Sequence, residues 1–187
     1  MYTGRNPTAL KSQEMFMDAL TELMREKAFA DISVRELCRN ADLSRQTFYL
    51  LFSTKENILD LRFERVFTEY ADLMLHEPNL TTQKVANWFV EFLQSESEFI
   101  RQIVDNNLSP IMLQHFQRYL FRVDDMILSR ERPLRKYAIA FLAGALVEVA
   151  AEYVQDEVPP PAPQISKMIC QVLMGEYFNM SGVVEAE

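Results

Sequence analysis

An all-α fold is predicted by three observations. The 187 residues hold only four glycines, apolar residues recur at helical rather than alternating spacing, and helix-capping signals recur along the chain. A hydrophobic content of 49% is enough for a substantial core in one or two domains.

Asn6-Pro7-Thr8 opens the first helix. Leu10, Phe16, Leu20, Leu23 and Met24 form its buried stripe, which ends around Lys27. Ser33 followed three residues later by Glu36 is a capping box, so a second helix starts near Val34 and carries Leu37 and Ala41 inward. Asn40-Ala41-Asp42 supplies turn residues, and Ser44 caps a third, short helix. Ser53-Thr54-Lys55-Glu56 repeats the Ser-x-x-Glu pattern, predicting a long helix from about Thr54 to His76.

At roughly 100° per residue, Ser44, Phe48, Leu51 and Phe52 share one side of the short helix. Gln46, Thr47, Tyr49 and Leu50 occupy much of the other, with Arg45 beside them in the first turn. Arginine addresses guanine, glutamine addresses adenine, and methyl groups meet the thymine methyl in the major groove. The helix starts near Ser44 and Thr54, with the Lys55 ammonium, suit phosphates.

Residues 32–59, preceded by the amphipathic helix near 9–29, resemble the N-terminal DNA-binding domain of the tetracycline-repressor (TetR) family of bacterial transcription regulators. The resemblance is carried by Ile32-Ser33-Val34, the Ala41-Asp42-Leu43-Ser44 turn, Phe48-Tyr49, Phe52, and Lys55-Glu56 ahead of Leu59. It implies that Arg45, Gln46 and Thr47 read bases and that Tyr49 and Lys55 contact phosphates. Leu50 and Leu51 stand where that family usually carries Tyr or Arg and then His or Tyr; helical counting turns Leu51 inward and Leu50 outward. Asp42 stands where the family commonly has glycine, a position Asp tolerates through its access to left-handed backbone. Cys38 reads as a buried, inert thiol.

The net charge of −8 is unevenly spread. Residues 1–65 hold ten Lys/Arg and ten Asp/Glu, so the acidity belongs to residues 66–187. A neutral head binds DNA if its cations cluster on one surface, and Arg5, Lys11, Arg35, Arg45 and Lys55 are the candidates. Cys38 and Cys170 are far apart and read as free thiols of a reducing compartment. No run reaches the roughly 18 uninterrupted apolar residues of a membrane span, and Met1-Tyr2-Thr3-Gly4-Arg5 lacks a secretory signal's apolar core. A cytoplasmic location without membrane contact is expected.

Beyond Glu77-Pro78-Asn79, helices are predicted near 82–95, 97–107, 110–129, 133–156 and 164–179. The starts rest on a Ser95/Glu98 capping box, on Ser109-Pro110 and on Arg132-Pro133. Val158-Pro159-Pro160-Pro161-Ala162-Pro163 is a stiff linker. From Tyr137 to Ala151 the only charge is Glu148, and a helix apolar all round must be covered on all sides. A homodimer through 133–156 and 164–179 is therefore expected, as the resemblance also implies.

His76 and His115 stand in no metal-binding or nucleophile-activating pattern, and there is no phosphate-cradling glycine loop. No catalytic residue, metal or cofactor is expected. Trp88, Phe92, Met112, His115, Phe116, Tyr119 and Phe141 are the candidates for a small-ligand pocket among the aromatic residues of the second part. The expected organisation is a helix-turn-helix domain over 1–53, a linking helix over 54–76, and a ligand-binding and dimerisation domain over 77–187. The expected function is that of a DNA-binding regulator, by default a repressor, acting on a double-stranded operator under a small effector. The alternatives are a helical protein-interaction module, or a regulator that answers to a protein partner rather than a small molecule.

Overall fold

Asn6 caps α1 (Pro7–Glu26) by accepting from the Thr8 backbone N–H at 2.9 Å, with Pro7 at the first helical position. A single 3-10 turn (Phe29–Asp31) leads to α2 (Val34–Asn40), α3 (Arg45–Leu51) and α4 (Glu56–Leu75). The second half comprises α5 (Thr82–Ser95), α6 (Ser97–Asp105), α7 (Ser109–Leu128), α8 (Arg135–Gln155) and α9 (Ala162–Leu173). The computed structural model describes residues 2–128 and 133–177, leaving aside the side chains of 124–128, and the described residues contain no strand.

Several predicted ends move for physical reasons. The helix expected over 164–179 stops at Leu173, because Gly175 adopts φ +74° and the Glu176 N–H returns to the Gln171 carbonyl at 2.7 Å. This is a Schellman termination. Residues 178 and 179 of that expected helix, and Arg132, lie outside the described residues. Neither the Ser53/Glu56 nor the Ser95/Glu98 capping box forms. Asn57 Oδ1 instead accepts from the Ser53 and Thr54 N–H groups, each at 3.2 Å. Ser95 Oγ donates to the Phe92 carbonyl, and Glu98 is drawn to Arg25 of α1 at 2.5 Å.

The head, α1 to α3, closes around Phe16, Phe48 and Phe52, all essentially inaccessible. Phe16 meets the other two rings edge-on at 5.4 and 5.9 Å between centroids, a favourable aromatic geometry. In the body, α5 packs on α9, and α7 packs on α4 and α8. Phe63 and Phe67 of α4 make the core continuous from head to body.

Helix α6 docks the body onto the head with two amides one turn apart. Gln102 Nε2 donates to the Thr21 carbonyl at 3.1 Å, and Asn106 Oδ1 accepts from the Phe29 N–H at 2.5 Å. Arg62 of α4 adds bonds to Thr21 Oγ1 and Glu96 and lies over the Phe99 ring.

With a mean hydropathy of 1.6, α8 is long and apolar enough to cross a membrane by length and composition alone. Ile139, Ala143, Val147, Ala150 and Val154 bury one side of it within the protein. The other side leaves Tyr137 61% and Phe141 76% exposed, and Glu148 lies on the solvent side as well.

Candidate nucleic-acid interface and ligand cavity

The geometry of the α2–α3 unit follows from its capping residues. Ser33 Oγ accepts from the Glu36 N–H while Glu36 Oε2 accepts from the Ser33 N–H at 3.0 Å, the reciprocal box expected there. The Lys27 ammonium pairs with the same carboxylate and, together with the Ser33 bonds, holds Glu36 down to a pKa of about 2. Asp42 takes φ +51°, the left-handed turn position anticipated for it. Cys38 is buried, and burial pushes its thiol up, away from the reactive thiolate.

Ser44 caps α3 by accepting from the Thr47 N–H at 3.0 Å. Its hydroxyl also shares a hydrogen bond with Thr47 Oγ1 at 2.8 Å, which engages the Thr47 hydroxyl locally. Phe48, Leu51 and Phe52 anchor the inner side. Arg45, Gln46, Tyr49 and Leu50 stand on the outer side, with Leu50 73% exposed. Tyr49 is braced edge-on by Phe48, with ring centroids 5.2 Å apart. This is the split between Leu50 and Leu51 that helical counting predicts.

The N-terminal segment adds a brace that sequence reasoning missed. The Tyr2 N–H donates to the Leu51 carbonyl at the end of α3, and the Tyr2 carbonyl accepts from buried Gln13 Nε2 at 3.0 Å. The only hint in the sequence is a polar Gln13 among the α1 residues.

Lys55 is turned toward the protein. Its ammonium, assigned to a phosphate, donates to the carbonyls of Phe29 at 2.5 Å, Ile32 at 2.9 Å and Ala30 at 3.1 Å, and lies 4.5 Å from the Phe29 ring centroid. An ammonium has three donors and all are used. The short 3-10 turn and Ile32 after it bring three carbonyls around the cation, and the Phe29 carbonyl also accepts from the Ile32 N–H at 3.1 Å.

The remaining cations of residues 1–65 sort cleanly. Arg25, Lys27, Arg62 and Arg65 are held by Glu22 and Glu98, Glu36, Glu96 and Glu14 respectively. Arg5, Lys11, Arg35, Arg39 and Arg45 are exposed and make no ion pair among the described residues. A head with no net charge therefore retains five uncommitted cations, including Arg39, which the sequence reading passed over.

The body holds a partly open cavity of about 90 Å³. Trp88, Phe92, Phe116 and Tyr119 line it, as expected, joined by Phe67, Tyr70 and Met74 of α4, Phe89 of α5, and Leu142, Leu146, Ile169 and Leu173 from the last two helices. Three candidates fall elsewhere. Phe141 points to solvent, and its neighbour Leu142, rotated by roughly 100° on the same helix, takes the wall position. Met112 is fully buried but is not part of this wall. His115 is buried on the α4 side, its Nε2 2.8 Å from Asp60 Oδ1 and its ring stacked on Phe63 at 4.9 Å.

The cavity wall is almost entirely apolar. Tyr119 donates its hydroxyl to Met74 Sδ at 3.4 Å, a soft acceptor, and burial pushes both the Tyr119 and Tyr70 phenols up. Among the described residues no cluster of His, Cys, Asp and Glu could hold a metal ion.

Comparison with known proteins bears on the head by sequence and on the whole chain by fold. Residues 16–61 match the family model of bacterial regulatory proteins, tetR family. A 58-residue segment is 36% identical to the HTH-type dhaKLM operon transcriptional activator DhaS of Lactococcus lactis subsp. lactis (strain IL1403). That match covers 31% of this chain and 31% of that protein, so the chain spans about a third of the length of the curated relative it matches.

Solved structures extend the likeness to the whole fold. Lin0861 from Listeria innocua superposes with a TM-score of 0.81 at 18% identity, over 94% of this chain and 96% of that one. A TetR transcriptional regulator from Streptococcus agalactiae 2603V gives 0.65 at 16%, over 89% and 95%. The dihydroxyacetone kinase operon activator DhaS gives 0.56 at 22%, over 89% and 96%. The head is a TetR-type helix-turn-helix domain, and the body shares the fold of these proteins.

Proposed function

From a tetR-family head on a body of the same fold, we propose that this chain is a homodimeric, sequence-specific DNA-binding transcription regulator. One observation carries the reading. Arg45, Gln46, Tyr49 and Leu50 stand exposed on a short helix whose opposite side is locked into the core by Phe48, Leu51 and Phe52. That arrangement suits a helix inserted into the major groove. Arg35, Arg39, Arg5 and Lys11 supply cations for the backbone.

The apolar outer side of α8 and the exposed Val172, Leu173 and Met174 at the end of α9 support a dimer. A second copy brought across a two-fold axis would cover them and set two heads on a roughly palindromic operator. The cavity supports an effector site. A drug-sized ligand needs about 300–1,000 Å³, so such an effector has to displace wall side chains of α4 or α7 to enter. Binding energy then couples to helix position, and operator affinity shifts by the effector's differential affinity for the two arrangements.

Repression is the sign we propose, since a dimer seated on a promoter blocks it. The 36% identity of one segment to a protein described as an operon activator favours activation as the second reading. A protein partner in place of a small effector is the other alternative.

The test is enrichment of preferred duplexes from a random library, followed by titration at several salt concentrations. Arg45→Ala and Gln46→Ala should each cost about 1–3 kcal/mol on the preferred duplex and relax its sequence preference. Binding indifferent to both substitutions overturns the reading. A reporter behind the preferred site gives the sign of control.

A further inference from the structure

A chain of hydrogen bonds runs from the interior of the body to the exit of the recognition helix. His115 of α7 is 3% exposed, and its Nε2 lies 2.8 Å from Asp60 Oδ1 of α4. The other carboxylate oxygen, Asp60 Oδ2, accepts from Asn57 Nδ2 at 3.1 Å. Asn57 Oδ1 in turn accepts from the N–H groups of Ser53 and Thr54, both at 3.2 Å. Those two residues are the middle half of the four-residue connection between α3 and α4.

Polarity is fixed at every joint. Backbone N–H groups require an acceptor, so the Asn57 amide must turn its oxygen toward the connection and its nitrogen toward Asp60. A carboxylate only accepts, so His115 must present Nε2–H. The upstream end lies beside the cavity, because Phe116 and Tyr119 of the same helix line it while His115 faces α4.

We infer that Asn57, Asp60 and His115 are positioning residues that set the pitch of α3 against the body, and that selective DNA binding depends on donor meeting acceptor at each of their joints. The inference rests on the DNA-binding reading above. None of the three touches the exposed face of α3, so each acts through the α3–α4 connection. A displacement of α7 by an occupant of the cavity would reach the recognition helix by this route.

The test exchanges polarity without changing shape. The native chain is used to enrich a duplex from a random library. Variants are then titrated by fluorescence anisotropy with that duplex and with a scrambled one, and the readout is the ratio of the two affinities. With its amide oxygen kept on the His115 Nε2–H, Asp60→Asn turns its nitrogen to the Asn57 amide nitrogen, donor against donor, and Asn57→Asp sets two carboxylates face to face. Each should lower the ratio about tenfold, the scale of one mispaired polar contact.

The double variant Asn57→Asp/Asp60→Asn exchanges donor and acceptor and should restore the ratio to within about threefold of native, a coupling that independent sites would not show. His115→Gln keeps an N–H for Asp60 and should bind like the native chain, whereas His115→Phe keeps the stack on Phe63 but loses the donor and should fall about tenfold. This second pair serves if a charge-changing variant fails to fold, as monitored by melting.

Single variants with native ratios, or a double variant no better than the sum of its parts, overturn the relay. So does an equal loss on both duplexes, which would be a charge effect alone. A native chain that enriches no duplex overturns the DNA-binding reading itself, and the relay with it.

Discussion

Replacing Lys55 with methionine separates two roles that the same residue could play. The substitution keeps most of the apolar stem beside Phe29 and removes the ammonium that now bonds the Phe29, Ala30 and Ile32 carbonyls. The Ala30 bond is exposed and water replaces it cheaply; the other two are part-buried. Hydrogen bonds to charged groups contribute about 1.5–3 kcal/mol each, less where solvent competes, so the expected loss is about 2–3 kcal/mol. For a chain of this size that lowers Tm by roughly 4–12 °C. Thermal melting followed by circular dichroism measures it. DNA titration over a salt series measures the other role, since a lost phosphate contact would flatten the slope of log K against log salt by about 0.9. A Tm within about 1 °C of native together with a flattened slope would refute the structural assignment and restore Lys55 to the DNA surface.

Two further outcomes follow from buried and exposed groups elsewhere. Burial holds His115 below the ordinary histidine value against the opposing bond to Asp60, with Glu64 of α4 and Arg118 and Arg122 of α7 around it. The unfolded chain therefore takes up a proton that the folded chain refuses, so this contribution to stability is complete above about pH 6.5 and declines as pH falls below it. Denaturant midpoints across that range should show the decline in the native chain and a flatter profile in His115→Gln; identical profiles would count against it. Phe141→Glu places a charge on the exposed side of α8 and should convert a dimer into a monomer in sedimentation analysis while leaving Tm of the monomer nearly unchanged. A dimer that survives it lies on another surface.

Much of the head was legible because its determinants are local. The Ser33/Glu36 box, the Ser44 cap, the left-handed Asp42 and the burial of Leu51 beside an exposed Leu50 all depend on residues within about one helical turn of each other. The apolar stripe of α1 and the unbroken apolar run of α8 likewise state their own helix and its need for cover.

What the tertiary structure decided involves residues far apart in the chain. Lys55 is held by carbonyls more than twenty positions earlier, because the 3-10 turn and the residue after it bring three carbonyl oxygens to the start of α4. At that same start Asn57 displaced the predicted capping box, since its amide also met the carboxylate that His115 holds. Which aromatic residues face the cavity depended on how α5, α7 and α8 are rotated where they meet, and a single-residue step of roughly 100° is enough to exchange Phe141 for Leu142. The sequence by itself determined the helices, the caps of α1 to α3 and the exposed face of α3, because those are short-range consequences of backbone hydrogen bonding and periodicity. Only the packed fold decided which charges stay uncommitted, where the cavity opens and how it connects to the recognition helix, because each of these depends on the angle and register at which distant helices cross.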